Sequence, residues 1–158
     1  MAERRLRKDE KIEMLRRVDL FSKCSKSELG RVASLTTQCF AEPGEVLTKR
    51  GEIGVEFFVI VSGQAVASRD DIVLATLGPG SFFGELALLD GGRRTATVVA
   101  KTRMQLLVLT TAEFSTVKEL VPSVSAKIIQ ELGARLRKTD EMLNPSPALS
   151  RRVGPWAL

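Results

Sequence analysis

The chain has 158 residues and a formal net charge of +5, and it is 44% hydrophobic, 27% charged and free of histidine. This composition suits one globular domain of ordinary size, and no apolar run approaches the roughly 20 residues that span a bilayer. Without histidine, Ser-His and Cys-His catalytic pairs cannot form and the commonest zinc ligand is lost, so we expect neither an enzyme nor a metal site. Two cysteines at no metal-ligand spacing, Cys24 and Cys39, and the absence of a secretory signal favour a cytoplasmic location.

The positive charge is concentrated at the two ends of the sequence. Residues 1–17 hold seven Lys/Arg against four Asp/Glu, residues 127–158 hold six against three, and residues 18–126 are close to neutral. A solvated helix face explains such ends best, while binding of a polyanion through them is the alternative interpretation.

Two helices are predicted in the N-terminal part, over residues 1–37. Between residues 4 and 18, apolar side chains recur at helical spacing with charged residues between them. A second helix is predicted to start near Ser25 or Ser27, either of which can cap it, and to run towards Leu35.

A series of short β-strands is predicted next, over residues 38–110. Segments rich in Val, Ile, Phe and Thr alternate with Gly and Pro turns. They cover residues 38–42, 45–49, 56–62, 64–68, 72–77, 95–100 and 104–109. This density of short strands predicts a sandwich or a small barrel.

Helical spacing returns after the last predicted strand. Thr110 or Thr111 can cap a helix in which Glu113 completes a capping box, and Pro122 suits the first turn of a further helix. The sequence therefore predicts a mainly β fold with flanking α helices.

One segment between two predicted strands differs from an ordinary hairpin: FGELALLDGGRRTATV, residues 83–98. Its centre, residues 85–89, consists of good helix formers between glycines. The first N–H groups of a short helix lack intrahelical partners and favour an anion, and Arg94 adds a fork of donors. Glu85 would repel an isolated phosphate, but it fits a ligand that carries a sugar hydroxyl beside its phosphate.

This segment resembles the phosphate-binding cassette of cyclic-nucleotide-binding domains, here placed at residues 83–97. That family includes regulatory subunits of cyclic-AMP-dependent kinase, cyclic-nucleotide-gated channels and the bacterial catabolite activator protein. The resemblance covers roughly residues 20–137 and implies a double-stranded β-helix (jelly-roll) barrel. It also implies hinge and lid helices at residues 111–140, followed by a flexible tail at residues 141–158.

The resemblance implies roles for individual residues of the sequence. Glu85 is expected to bind the ribose 2′-hydroxyl and Arg94 the equatorial phosphate oxygen, while Gly84 permits a close backbone approach. The backbone N–H groups of Leu86 and Ala87 are expected to meet the phosphate, and Thr95 is expected to lie beside the phosphate or the purine. The apolar wall for the base is expected from Val73, Leu74 and Phe82 or Phe83, and the lid from Leu132, Arg135 or Leu136. Arg93 is expected to face solvent or a helix.

The expected function is that of a cyclic-nucleotide-binding regulatory protein, without metal or cofactor, whose C-terminal helices move when the ligand binds. Cyclic AMP is the preferred ligand and cyclic GMP the alternative. The residues after Arg137 are too few for a helix-turn-helix, so contacts to an effector protein or a second copy are expected through the terminal helices. The competing hypothesis is a non-binding barrel that contacts proteins or nucleic acid through its basic ends.

Overall fold

The computed structural model describes residues 4–84 and 92–143 of the chain. Its helices are α1 (Lys8–Arg16), a 3-10 turn (Asp19–Phe21), α2 (Lys26–Leu35), α3 (Thr111–Leu120) and α4 (Pro122–Leu143). Its strands are β1 (Thr37–Ala41), β2 (Val46–Thr48), β3 (Glu56–Ser62), β4 (Ala65–Arg69), β5 (Ile72–Leu77), β6 (Phe82–Phe83), β7 (Thr97–Ala100) and β8 (Met104–Thr110).

The strands of this part of the chain form two antiparallel sheets. The first has the order β1-β8-β3-β6 and the second the order β2-β7-β4-β5. The sheets face each other as a barrel, and the helices flank it, which confirms the predicted jelly-roll fold with flanking helices.

The central strands β3 and β8 of the first sheet are buried on both faces. Along β3, Phe57 and Val59 pack into the cluster formed with the helices, whereas Phe58 and Ile60 pack into the barrel interior. Successive side chains of a strand point to opposite faces, so a strand that is covered on both sides needs a continuous apolar run. The sequences EFFVIVS of β3 and MQLLVLT of β8 are such runs.

Capping boxes fix where two of the helices begin. The Ser25 hydroxyl accepts the backbone N–H of Glu28, and the Glu28 carboxylate accepts the backbone N–H of Ser25. Thr110 and Glu113 repeat this arrangement at α3. Of the alternative caps that the sequence offers, the first serine and the first threonine are therefore the ones used.

The edge strand β5 of the second sheet is largely exposed, in contrast to β3. Ile72, Val73 and Leu74 are 65%, 63% and 48% exposed. The β4–β5 turn is a two-residue hairpin in which Asp70 and Asp71 have φ values of 50° and 63°, the left-handed pair of a type I′ turn.

The predicted strands occur within about two residues of their expected positions, and β6 is an additional strand of only two residues. The final helix runs to Leu143, past the predicted boundary at residue 140. The remainder of the predicted tail, residues 144–158, lies outside the described residues. Between residues 4–84 and 92–143, no helix combines the length and the apolar character needed to cross a bilayer.

Candidate functional site

The side chain of Arg94 is buried and fixed by backbone carbonyl groups. The residue is 8% exposed. Its Nη1 donates to the Gly84 carbonyl oxygen at 3.0 Å and its Nη2 donates to the Glu56 carbonyl oxygen at 2.6 Å. The guanidinium carbon also lies 6.0 Å from the ring centroid of Phe58. The guanidinium is thus held in one place by the fold, with its charge inside the protein.

The backbone around Arg94 is attached to the loop before β3. Arg94 N donates to the Glu52 carbonyl oxygen at 2.7 Å, and Gly51 N donates to the Arg94 carbonyl oxygen at 3.0 Å. The neighbouring Arg93 forms an isolated bridge with Ile53 and donates from Nη1 to the Gly51 carbonyl oxygen at 2.6 Å. Its side chain is exposed, as expected for a residue that faces solvent.

Gly84 occupies a position that only glycine fits. Its φ of +94° lies in the left-handed region that L side chains rarely adopt. A Cβ atom there would lie 2.6 Å from Nη1 of Arg94 and 2.7 Å from the carbonyl oxygen of Glu56. The side chain of Arg94 and the backbone of Glu56 therefore occupy the space that a side chain at position 84 would need, while the role of Gly84 towards a ligand stays a prediction.

Strand pairing in the second sheet relates the segment after Arg94, where the phosphate is expected, to Val73, which is expected in the apolar wall. Thr97 pairs with Ser68 on β4, and Ser68 pairs with Val73 on β5. Two strand spacings, about 10 Å, therefore separate the start of β7 from Val73. Thr95 precedes β7, is exposed, and accepts a hydrogen bond at its carbonyl oxygen from Nε of Arg69 at 2.9 Å.

A β-bulge lies at Leu74. Ala67 pairs with Ala75 and Ser68 pairs with Val73, so Leu74 has no residue directly opposite. Bulges redirect side chains and are frequent beside functional sites. Val73 and Leu74, the wall residues expected from the sequence, thus lie beside a bulge with exposed side chains.

The two phenylalanines of β6 lie on opposite faces of the first sheet. The Phe82 ring is 5.8 Å from that of Phe57, on the face towards the helices. The Phe83 ring stacks on that of Phe58 at 4.8 Å, inside the barrel. Of the two alternatives for the apolar wall, Phe83 is the one that lies in the barrel interior with Phe58, whose ring is beside the Arg94 guanidinium.

The expected lid residues lie on α4. Leu132 packs against the cluster formed by the helices, and Leu136 is 66% exposed. Arg135 belongs to the same helix, and its side chain lies outside the described part of the structure. Glu85, Leu86 and Ala87 also lie outside the described residues, so their roles stay predictions.

Three consecutive residues at the start of β3 connect Arg94 to α3. The Val55 carbonyl oxygen accepts the first backbone N–H of α3 at 3.1 Å, and the next carbonyl, that of Glu56, accepts from Arg94. The ring of Phe57 then stacks on Phe114 of α3, with centroids 4.9 Å apart. One short backbone segment thus contacts both the guanidinium and this helix.

The sequence did not point to Glu56, whose backbone carbonyl holds Arg94. A backbone acceptor leaves no mark in the sequence, because every residue type carries one. Phe58 lies in the barrel core, where it is 5% exposed, and it also lies beside the guanidinium. The described residues contain no group of three or more His, Cys, Asp or Glu that could hold a metal ion.

Comparison with known proteins identifies the family to which this arrangement corresponds. The family model of the cyclic nucleotide-binding domain matches residues 38–119, which include Gly84, Arg94 and the barrel. The chain belongs to the cyclic nucleotide-binding domain family. Within it, a cyclic nucleotide-gated potassium channel from Rhizobium etli is 33% identical over 87% of this chain, which corresponds to 34% of the channel's length.

Solved structures confirm the fold. A structure of Sp-2Cl-cAMPS bound to PKAR CBD2 has a TM-score of 0.75 and 29% identity, covering 85% of this chain and 93% of that one. The regulatory subunit of a cAMP-independent protein kinase A from Trypanosoma brucei has a TM-score of 0.72 and 23% identity, covering 79% of this chain and 45% of that one. Such likeness shows the fold, and a fold alone does not define a ligand.

Proposed function

We propose that this chain is a cyclic-nucleotide sensor that binds cyclic AMP between Arg94 and the exposed end of the second sheet. The observation that supports it most strongly is the buried guanidinium of Arg94, which carbonyl groups hold beside a glycine that no other residue can replace. A fixed fork of donors matches a phosphate oxygen pair. Glu85, nine residues earlier in the same segment, would accept the ribose 2′-hydroxyl.

Ligand binding would act by competition at Arg94. A phosphate oxygen carries charge, and hydrogen bonds to charged acceptors are shorter and stronger than those to neutral carbonyl groups. The cyclic phosphate would therefore take over N–H groups that now donate to Gly84 and Glu56. Release of the Glu56 carbonyl would free the start of β3, and hence α3, to shift.

The signal would then appear as a change in the population of two arrangements of α3 and α4. A ligand favours one arrangement only by its differential affinity for it. We propose that the closed arrangement brings α4 over Val73 and Leu74, with a lid residue from Leu132, Arg135 or Leu136 on the base. Output to an effector protein or a second copy through the terminal helices is part of the same proposal.

The preference for cyclic AMP rests on the relatives, since a cAMP analogue is bound in the similar PKAR structure. Thr95 does not separate the two cyclic nucleotides, so cyclic GMP stays the alternative. We propose no catalytic role, because the named relatives are channels and regulatory subunits.

Calorimetric titration of the ligand-free protein with cyclic AMP, cyclic GMP and linear AMP tests the proposal. We expect saturable binding of a cyclic form and none of AMP. A charge-assisted hydrogen bond contributes about 1.5–3 kcal/mol, so Arg94→Ala should weaken binding about tenfold to a hundredfold or more. Arg94→Lys keeps the charge without the fork and should lose part of the affinity.

Arg93→Ala is the matched control, because it removes an adjacent arginine that is exposed and donates only to the Gly51 carbonyl among the contacts described here. It should bind like the wild type. Equal binding by Arg94→Ala would show that the site is wrongly assigned. A folded, ligand-free protein that binds neither cyclic nucleotide would favour the non-binding barrel instead.

A further inference from the structure

A groove of about 720 Å³ lies between α1, α2 and α3, and none of its lining residues belongs to the Arg94 site. Its floor is apolar and includes Ile12, Leu35 and the 41% exposed Leu120. An open groove between helices with an apolar floor is the surface on which an amphipathic helix of another protein docks.

Gly30 lines this groove at the middle of α2 and is buried beneath the side chains of Lys8 and Ile12. Glycine disfavours a helix interior relative to alanine. A Cβ at Gly30 would lie 3.7 Å from Cε of Lys8 and 3.9 Å from Cδ1 of Ile12, which are ordinary contact distances. Packing within the chain therefore does not require the glycine.

The groove is rimmed by three cations, Lys8, Lys26 and Arg31, and no acidic residue lines it. In residues 4–84 and 92–143, none of the three forms an ion pair. The surrounding segment, residues 4–35, holds ten Lys/Arg against five Asp/Glu. The rim therefore carries a positive potential that attracts carboxylates.

We propose that this groove binds an acidic amphipathic helix of a partner protein. Apolar side chains of the partner, spaced one helical turn apart, contact Ile12, Leu35 and Leu120 on the floor of the groove. Its carboxylates pair with the three cations of the rim. A nucleic acid would use the cations but would leave the apolar floor uncovered, so the combination favours a protein segment.

The test uses the full chain without nucleotide and a synthetic, fluorescein-labelled helical peptide with Leu at i, i+3 and i+7 and Glu on both flanks. A scrambled peptide of the same composition and a version with Lys in place of Glu are the peptide controls. We expect saturable binding of the acidic amphipathic peptide by fluorescence anisotropy, and backbone amide shifts in NMR spectra at Ser27, Gly30 and Ser34.

Variants of the groove separate its charge from its shape. The double variant Lys26→Glu/Arg31→Glu should weaken binding at least tenfold, whereas the double variant Arg17→Glu/Lys23→Glu, an equal change of charge outside the groove, should not. Gly30→Met places a long side chain where Lys8 and Ile12 now lie, which would disturb the floor of the groove, and it should also weaken binding at least tenfold. Gly30→Ala has room for its methyl group and should bind within about threefold of the wild type.

Several outcomes would overturn the proposal. They are no binding at millimolar peptide, equal binding of the scrambled peptide, and full affinity in both groove variants. Salt-dependent binding of a double-stranded oligonucleotide to this face, without peptide binding, would replace the peptide by a polyanion. Because no nucleotide is present, none of these results bears on the cyclic-nucleotide site.

Discussion

The two sheets of the barrel have similar apolar sequences but are buried to very different degrees. In β3 of the first sheet, Phe57 and Ile60 are 0% and 1% exposed, because helices cover one face and the second sheet covers the other. In β5 of the second sheet, Ile72 and Val73 are 65% and 63% exposed. Internal packing explains the apolar run of β3 but leaves that of β5 on the surface. An exposed apolar surface of this kind is typical of a binding site.

The largest expected effect of this difference is on stability. Phe57 is fully buried and stacks on Phe114, so Phe57→Ala should lower the free energy of unfolding by about 3–5 kcal/mol. Leu74 is 48% exposed, so Leu74→Ala should change it by less than about 1 kcal/mol. Urea denaturation of both variants measures the two values.

Leu74→Ala should affect nucleotide binding more than it affects stability. If the exposed face of β5 is a ligand wall, Leu74→Ala should weaken cyclic AMP binding severalfold although the protein remains as stable as the wild type. A large loss of stability in Leu74→Ala, or unchanged binding, would contradict the idea that this surface is reserved for a ligand.

The next largest effect is expected at Gly84, where the first sheet ends. Gly84→Ala forces an L residue into a φ of +94° and places Cβ 2.6 Å from Nη1 of Arg94. Backbone strain of this kind costs about 1–3 kcal/mol. Relief of the clash would displace the guanidinium, so the affinity for cyclic nucleotide should fall at least about tenfold.

Gly78→Ala is the control for this variant, because a Cβ at Gly78 meets no atom within 4 Å and its φ is not in the left-handed region. Thermal unfolding and calorimetric titration of both variants give stability and affinity separately. Wild-type affinity in Gly84→Ala would mean that the precise position of Arg94 is unimportant.

The sequence predicts the first sheet well, because burial on two faces imposes continuous apolar runs such as those of β3 and β8 on it. Helix starts are equally local, since a capping box needs only residues three apart, as at Ser25 and Thr110. The two-residue strand β6 is too short for any periodic signal. The contact of Arg94 with the Glu56 carbonyl depends on chain segments that only the folded barrel brings together.

The exposure of β5 was not predictable for a related reason. Alternation and apolar content identify a strand, but they do not show whether another layer covers it. Val73 and Leu74 were expected as a wall from their position in the resemblance alone. The structure shows that both side chains are exposed and that a bulge lies at Leu74, while their contact with a ligand stays a prediction.

The smallest expected effect concerns the hairpin that joins β4 to the exposed β5. A type I′ turn has φ above zero at both central residues and prefers Asp-Gly, whereas this turn has Asp70 and Asp71. Asp71→Gly keeps Asp70, which forms an ion pair with Arg50, and should raise Tm by about 1–3 °C. Asp71→Val should lower Tm instead, because a β-branched residue is strained at this φ.

Because β5 is an exposed edge strand, neither substitution should alter the first sheet. Amide hydrogen exchange that occurs through local opening of β3 should therefore stay as slow as in the wild type. Faster exchange throughout β3 in Asp71→Val, beyond its loss of global stability, would mean that the two sheets are coupled more tightly than their burial indicates.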